Sequence, residues 1–255
     1  MSKHWIVKNF QPKITKQDWL KEIEKWTNIK IQKNKIWDNN GKIKKAKLFE
    51  VKKYPNTYVG HWFNSNQMWT DLYYLPEYLY LLWSDFYSAS RRTYPYIGVY
   101  EKGNTVVDIG GSIFGAYMLL KYGAKKVLVT NFDNSSQTNF VKFIAKKFNL
   151  PIEVISHNRI PKNSILVCSE YFEHFKDVDK EIKRILKFKP KRIYVKNTFF
   201  YPAYGHYIPI KIGGHKYKDY KLANKAFQKL LISKGYKLTK VPRWFGGLEK
   251  YTRLK

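Results

Sequence analysis

The sequence predicts an α/β fold: a seven-stranded, mostly parallel sheet ending in an antiparallel hairpin, preceded by an aromatic-rich helical extension. Three observations predict it. From Gly103 onward, short β-branched runs alternate with segments of helical period, the pattern of a parallel sheet covered by helices. A glycine-rich turn, Gly110–Gly115, stands between the first strand and the first helix of that alternation. The chain then finishes on two strand-like segments with only a turn between them, so these must be antiparallel neighbours.

The elements follow in order. Thr15 with Asp18 has the form of a capping box, and Trp19, Ile23, Trp26 and Ile29 then share one helical face. Lys42–Lys53 reads as a loop or hairpin and Leu72–Tyr87 as a second helix. Seven of the eight tryptophans precede residue 95. That shift divides the chain into an aromatic, basic extension or lid over 1–95 and an α/β domain over 96–255. The first strand is Thr105–Ile109, and the helix after the turn is Ala116–Tyr122, ended by Gly123. Lys126–Phe132, Ile152–Ser156, Ser164–Ser169 and Arg192–Lys196 are the next strands. Between them lie a helix over Gln137–Asn149, stopped by Pro151, and one capped by Asp177 and closed by Pro190. Asn197–Tyr220 is a long connecting segment. Leu222–Lys234 is the last helix, and Tyr236–Val241 and Lys250–Leu254 form the terminal pair.

Composition bounds the function. Apolar residues make up 44% of the 255, enough for a real core. No run approaches the ~18 apolar residues of a membrane-spanning helix. The N-terminus lacks an apolar signal core, and the lone Cys168 excludes an internal disulfide, so a cytoplasmic protein is expected. The formal charge of +29 attracts polyanions, which makes RNA or another anionic partner the expectation. Only seven of the 48 basic residues are Arg, the side chain favoured for bidentate phosphate recognition, so composition bias accounts for the charge equally well.

The loop VVDIGGSIFGA, Val106–Ala116, resembles motif I of the class I S-adenosylmethionine-dependent methyltransferases, a Rossmann-like family. Asp108 and Gly110 match the motif's acidic residue and first glycine. Ser112 and Phe114 occupy the next glycine positions, with Gly111 and Gly115 one residue away. The resemblance implies S-adenosyl-L-methionine as cofactor, held by Asp108, Gly110, Gly111, Ser112 and Gly115. It also implies an acid after the second strand for the ribose hydroxyls, where this chain has Asn131, with Asp133 two residues on. The adenine contact would come from His157 after the third strand. Ile165–Phe175, ILVCSEYFEHF, resembles the Ser-Glu-x-x-Glu-His segment after strand four of this class, which places Ser169 beside the cofactor. The motifs of DNA amino- and cytosine-C5 methyltransferases are missing from that segment.

Two sets of residues are candidates for acceptor activation. Glu170, Glu173 and His174 fall on one face of a helical turn and, with His215, resemble the divalent-metal set of terminal 2′-O-methyltransferases of small RNAs. Without metal, Glu170, His174 and His215 are the catalytic candidates, and Glu170 and His174 equally suit cofactor positioning and packing. Lys196 and Glu249 match part of the Lys-Asp-Lys-Glu set of metal-free ribose methyltransferases, with Glu170 in place of the Asp and no first Lys. A different class also fits: a non-catalytic methyltransferase-like module that binds nucleic acid or scaffolds a complex.

Overall fold

A computed structural model describes residues 10–28, 79, 93–197, 199, 207, 209–242 and 247–254. Its helices are α1 (Lys16–Thr27), α2 (Thr93–Tyr100), α3 (Ile113–Lys121), α4 (Ser136–Lys147), α5 (Val178–Leu186) and α6 (Tyr220–Ser233). Its strands are β1 (Thr105–Ile109), β2 (Lys126–Thr130), β3 (Ile152–Val154), β4 (Ile165–Ser169), β5 (Arg192–Lys196), β6 (Ile210–Ile212), β7 (His215–Tyr217), β8 (Tyr236–Lys240) and β9 (Glu249–Arg253). Seven of them form one sheet in the order β3-β2-β1-β4-β5-β9-β8, and β6 and β7 pair separately. The five central strands are parallel; β9 is antiparallel to β5 and β8 to β9.

The near-continuous apolar runs of the central strands are those of a sheet buried on both faces. Side chains alternate between the faces with period two. Val106, Val127, Val129, Ile165 and Val167 face one core with α2, α3 and α4, whereas Val107, Ile109, Leu128, Leu166 and Val195 face the other with α5 and α6. The capping box forms, with Thr15 and Asp18 bonded reciprocally. Trp19 and Ile23 of α1 are fully buried in the first core, where Trp19 meets Phe114 and Tyr117 edge-on at 5.2 and 5.4 Å. Trp26 lies on Phe143 at 4.8 Å. The sequence-based division at residue 95 falls within α2, and the buried Glu101 that follows this helix is bonded to Tyr194 and Arg192 of β5. Ile29, the Lys42–Lys53 segment and all of the Leu72–Tyr87 helix except Leu79 lie outside the described residues.

Two expectations are corrected. The glycine turn is shorter than predicted, because α3 begins at Ile113 with Ser112 as its N-cap, accepting from Gly115 N at 3.3 Å. The Asn197–Tyr220 connection is not featureless: it carries the β6–β7 hairpin over Ile210–Tyr217.

Candidate active site

The loop after β1 is built around a buried acid. Asp108 is fully buried near the end of β1, and its Oδ1 accepts from the Tyr94 hydroxyl of α2 at 3.4 Å. Gly111 closes over this carboxyl: a Cβ there would lie 2.4 Å from Asp108 Cγ, so only glycine fits. Burial pushes the Asp108 carboxyl well above the usual carboxylate range, against a smaller downward pull from Tyr94. Gly110, in contrast, lies at the cavity wall beneath the Tyr171 ring, with a left-handed φ of +67°. Ser112 is occupied as a cap, and Phe114 is fully buried against Trp19, which explains a Phe and a Ser where the motif has glycines.

Two amides clamp the same loop from the β2 side. Asn131 Nδ2 and Gln137 Nε2 both donate to the Gly111 carbonyl, at 3.1 and 2.8 Å. Asn131 Oδ1 accepts from Phe132 N at 2.8 Å. Both polar atoms of Asn131 are thus engaged inside the protein, and the side chain is buried. Asp133 is exposed two residues further on.

A cavity of about 1060 Å³ opens at the carboxyl ends of the parallel strands, where open α/β sheets bind their ligands. Five sequence-predicted residues line it: Gly110 after β1, Asn131 after β2, His157 after β3, and Glu170 and His174 after β4. Asp108, Gly111, Ser112 and Gly115 lie outside the lining, as do Asp133 and Ser169. His157 Nδ1 is buried with no hydrogen-bond partner. Burial, then the neighbouring Arg184 charge, pushes the His157 imidazole below its ordinary range, so it is neutral near pH 7.

The fourth-strand segment supplies the strained position. Glu170 has φ +51°, a left-handed conformation unusual for a Glu, as its N–H donates to Lys196 O at 2.6 Å. Its Oε1 pairs with Lys196 Nζ at 3.0 Å, and Lys196 is 8% exposed at the end of β5. Glu249 is held separately by Gln228 and Tyr251. Tyr171 stacks on Gly110 and donates its hydroxyl to Glu181 of α5 at 2.8 Å. Arg184 bonds Glu181 and reaches His157 O at 3.3 Å, bracing the cavity's side wall.

Tyr171, Glu181 and Arg184 were not singled out from the sequence. The i, i+3 spacing of Glu181 and Arg184 on a helix was legible, but its direction toward the strand ends was not.

The four-residue metal set is not assembled. Glu170 and His174 line the cavity, but Glu173 is buried behind it and His215 is exposed on the hairpin. Strand alternation turns Lys216, not His215, toward the cavity. Among the described residues, no group of three or more His, Cys, Asp and Glu could hold a metal ion. Nor, among the described residues, is any helix long and apolar enough to cross a membrane.

No family model matches the chain, and neither does any curated protein. Solved structures do match. The mitomycin 7-O-methyltransferase MmcR is similar at a TM-score of 0.50 and 14% identity, over 73% of this chain and 60% of that one. The magnesium protoporphyrin IX methyltransferase of Synechocystis PCC 6803, solved with S-adenosylhomocysteine bound, has a TM-score of 0.47 and 12% identity, over 68% and 87%. A protein of Methanococcus maripaludis, described as an S-adenosyl-L-methionine-dependent methyltransferase, has a TM-score of 0.48 and 13% identity, over 67% and 90%. At such identities the likeness speaks to the fold alone. With the strand order β3-β2-β1-β4-β5-β9-β8, the MmcR match establishes that this chain has the class I S-adenosylmethionine-dependent methyltransferase fold.

Proposed function

We propose that the chain is an S-adenosylmethionine-dependent methyltransferase acting on RNA or another anionic acceptor. The observation that carries this reading is the cavity at the strand ends, with Gly110, His157 and Glu170 on its wall. The residues suit the cofactor. Gly110 brings backbone to the cavity wall, the unpartnered His157 Nδ1 is a hydrogen-bonding site for a ligand nitrogen, and Phe132, 42% exposed in the lining, offers an aromatic surface for a base. Ribose hydroxyls would fall to Asp133, because Asn131 is consumed by the loop.

When bound, the cofactor supplies a methyl group already activated on a sulfonium. The protein then has to align an acceptor for in-line attack and receive its proton. Glu170 and His174 stand on the wall for that purpose, and the Lys196 charge holds the Glu170 carboxylate in place. Arg184 and Glu181 brace the side wall.

Isothermal titration with S-adenosylhomocysteine tests the reading. One saturable site is expected, weakened roughly tenfold by His157→Ala through loss of one hydrogen bond. No binding at millimolar ligand would overturn it. The engaged Asn131 amide favours the alternative, a non-catalytic module. In that case RNA retention persists with a steep salt dependence and no cofactor binding.

A further inference from the structure

The cavity, at about 1060 Å³, stands at the upper end of the ~300–1,000 Å³ usual for ligand pockets, and its lining runs beyond Gly110 and His157 to Lys176, Lys180 and Lys216. The wall away from Gly110 is made by the start of α5 and the β6–β7 hairpin. These two parts are braced together. Asp179 accepts from Gly213 N and Gly214 N at the hairpin turn, at 2.7 and 2.9 Å. Lys211 N donates to Lys176 O at 3.0 Å, and Lys211 Nζ pairs with Asp177 at 3.2 Å.

This frame presents Lys176, Lys180 and Lys216 to the cavity. The cavity's three carboxylates are already paired: Glu170 with Lys196, Asp177 with Lys211 and Glu181 with Arg184. The ammonium groups of Lys176, Lys180 and Lys216 enter no ion pair among the described residues. Three exposed ammonium groups around one concavity raise the local concentration of an anion there. Ammonium groups are point charges that suit a phosphate's several oxygens, whereas a planar carboxylate is matched better by an Arg fork.

We propose that Lys176, Lys180 and Lys216 form a subsite for a phosphate group of the acceptor. This rests on the methyltransferase reading for the word acceptor, but the subsite itself is testable without it. The full chain is titrated with pyrophosphate. One site is expected, weakened at least tenfold in Lys180→Ala/Lys216→Ala and unchanged in Lys142→Ala/Lys146→Ala, a pair of exposed lysines on α4. Equal losses in the two variants, or none in either, would overturn the subsite, since binding would then follow overall charge. S-adenosylhomocysteine affinity should stay within twofold in Lys180→Ala/Lys216→Ala. If the wild-type chain binds pyrophosphate selectively but not S-adenosylhomocysteine, the methyltransferase reading fails and the anion site stands. A nucleoside monophosphate and a 5′-phosphorylated hexaribonucleotide identify the source of the phosphate. The one whose affinity falls tenfold in Lys180→Ala/Lys216→Ala carries it, and a fall in neither overturns the acceptor assignment.

Discussion

Tyr171 lies over Gly110 so closely that a Cβ at residue 110 would sit 2.8 Å from the Tyr171 ring. Gly110→Ala therefore faces two costs. The left-handed φ costs about 1–2 kcal/mol for an L-residue, and the ring contact adds about 1–3 kcal/mol of overpacking. Replacing Tyr171 by Ala removes only the second, because the nearest ring atom is a Cδ that Leu would keep. In denaturant unfolding, Gly110→Ala is expected to cost clearly less in a Tyr171→Ala background than in wild type. Equal costs would show that the ring does not crowd the glycine.

The buried Asp108 makes a prediction about pH. Its carboxyl is held well above the usual range by burial, so the folded state keeps its proton after the unfolded state has lost it. Between the two pKa values the folded state binds more protons, and stability falls as pH rises. The fall starts near the unfolded value of about 4, with a slope of at most about 1.4 kcal/mol per pH unit. Asp108→Asn cannot titrate and supplies the reference. Unfolding free energy of wild type minus that of Asp108→Asn should decline from pH 4 to pH 7; a flat difference contradicts the buried neutral acid.

Glu170 and Lys196 are predicted to depend on each other for stability. Lys196 has little solvent to fall back on, so Glu170→Gln leaves a nearly buried ammonium without its counter-charge. A loss of about 1–3 kcal/mol is expected. Lys196→Met added to Glu170→Gln should recover most of it, because it removes the nearly buried ammonium that the first substitution left without a counter-charge. A double variant that is less stable than Glu170→Gln argues that Lys196 is held by something else.

The order of the central elements was legible because hydrophobic period and turn residues are local properties. Thr105–Ile109 and Arg192–Lys196 appear with the predicted bounds. What escaped was determined by neighbours distant in sequence. The motif could not show that Phe114 faces Trp19, nearly a hundred residues earlier, or that Ser112 is spent as a cap. The β6–β7 hairpin was missed although Gly213–Gly214 stands between its two three-residue strands, a turn pair that marks a hairpin. His215 attracted notice as a possible ligand, yet its neighbour Lys216 is the residue that faces the cavity. The left-handed Glu170 has no sequence signature, since its conformation follows from its N–H bond to Lys196 O.

Asn131 separates motif matching from structure most sharply. By resemblance, an acid belongs at the end of β2, and Asn131→Asp restores it. In this fold, however, the side-chain amide donates to the Gly111 carbonyl, 3.1 Å away, alongside Gln137. A carboxylate has no hydrogen to give, and one of its oxygens would face that carbonyl oxygen in a buried place. The loop would lose a clamp and gain a repulsion, at a cost of about 1–3 kcal/mol. Asn131→Asp is therefore expected to lower Tm and to weaken S-adenosylhomocysteine binding about tenfold, although it improves the match to the motif. Tighter binding with unchanged Tm would mean that residue 131 meets the ribose after all, and that the Gly111 bond is dispensable.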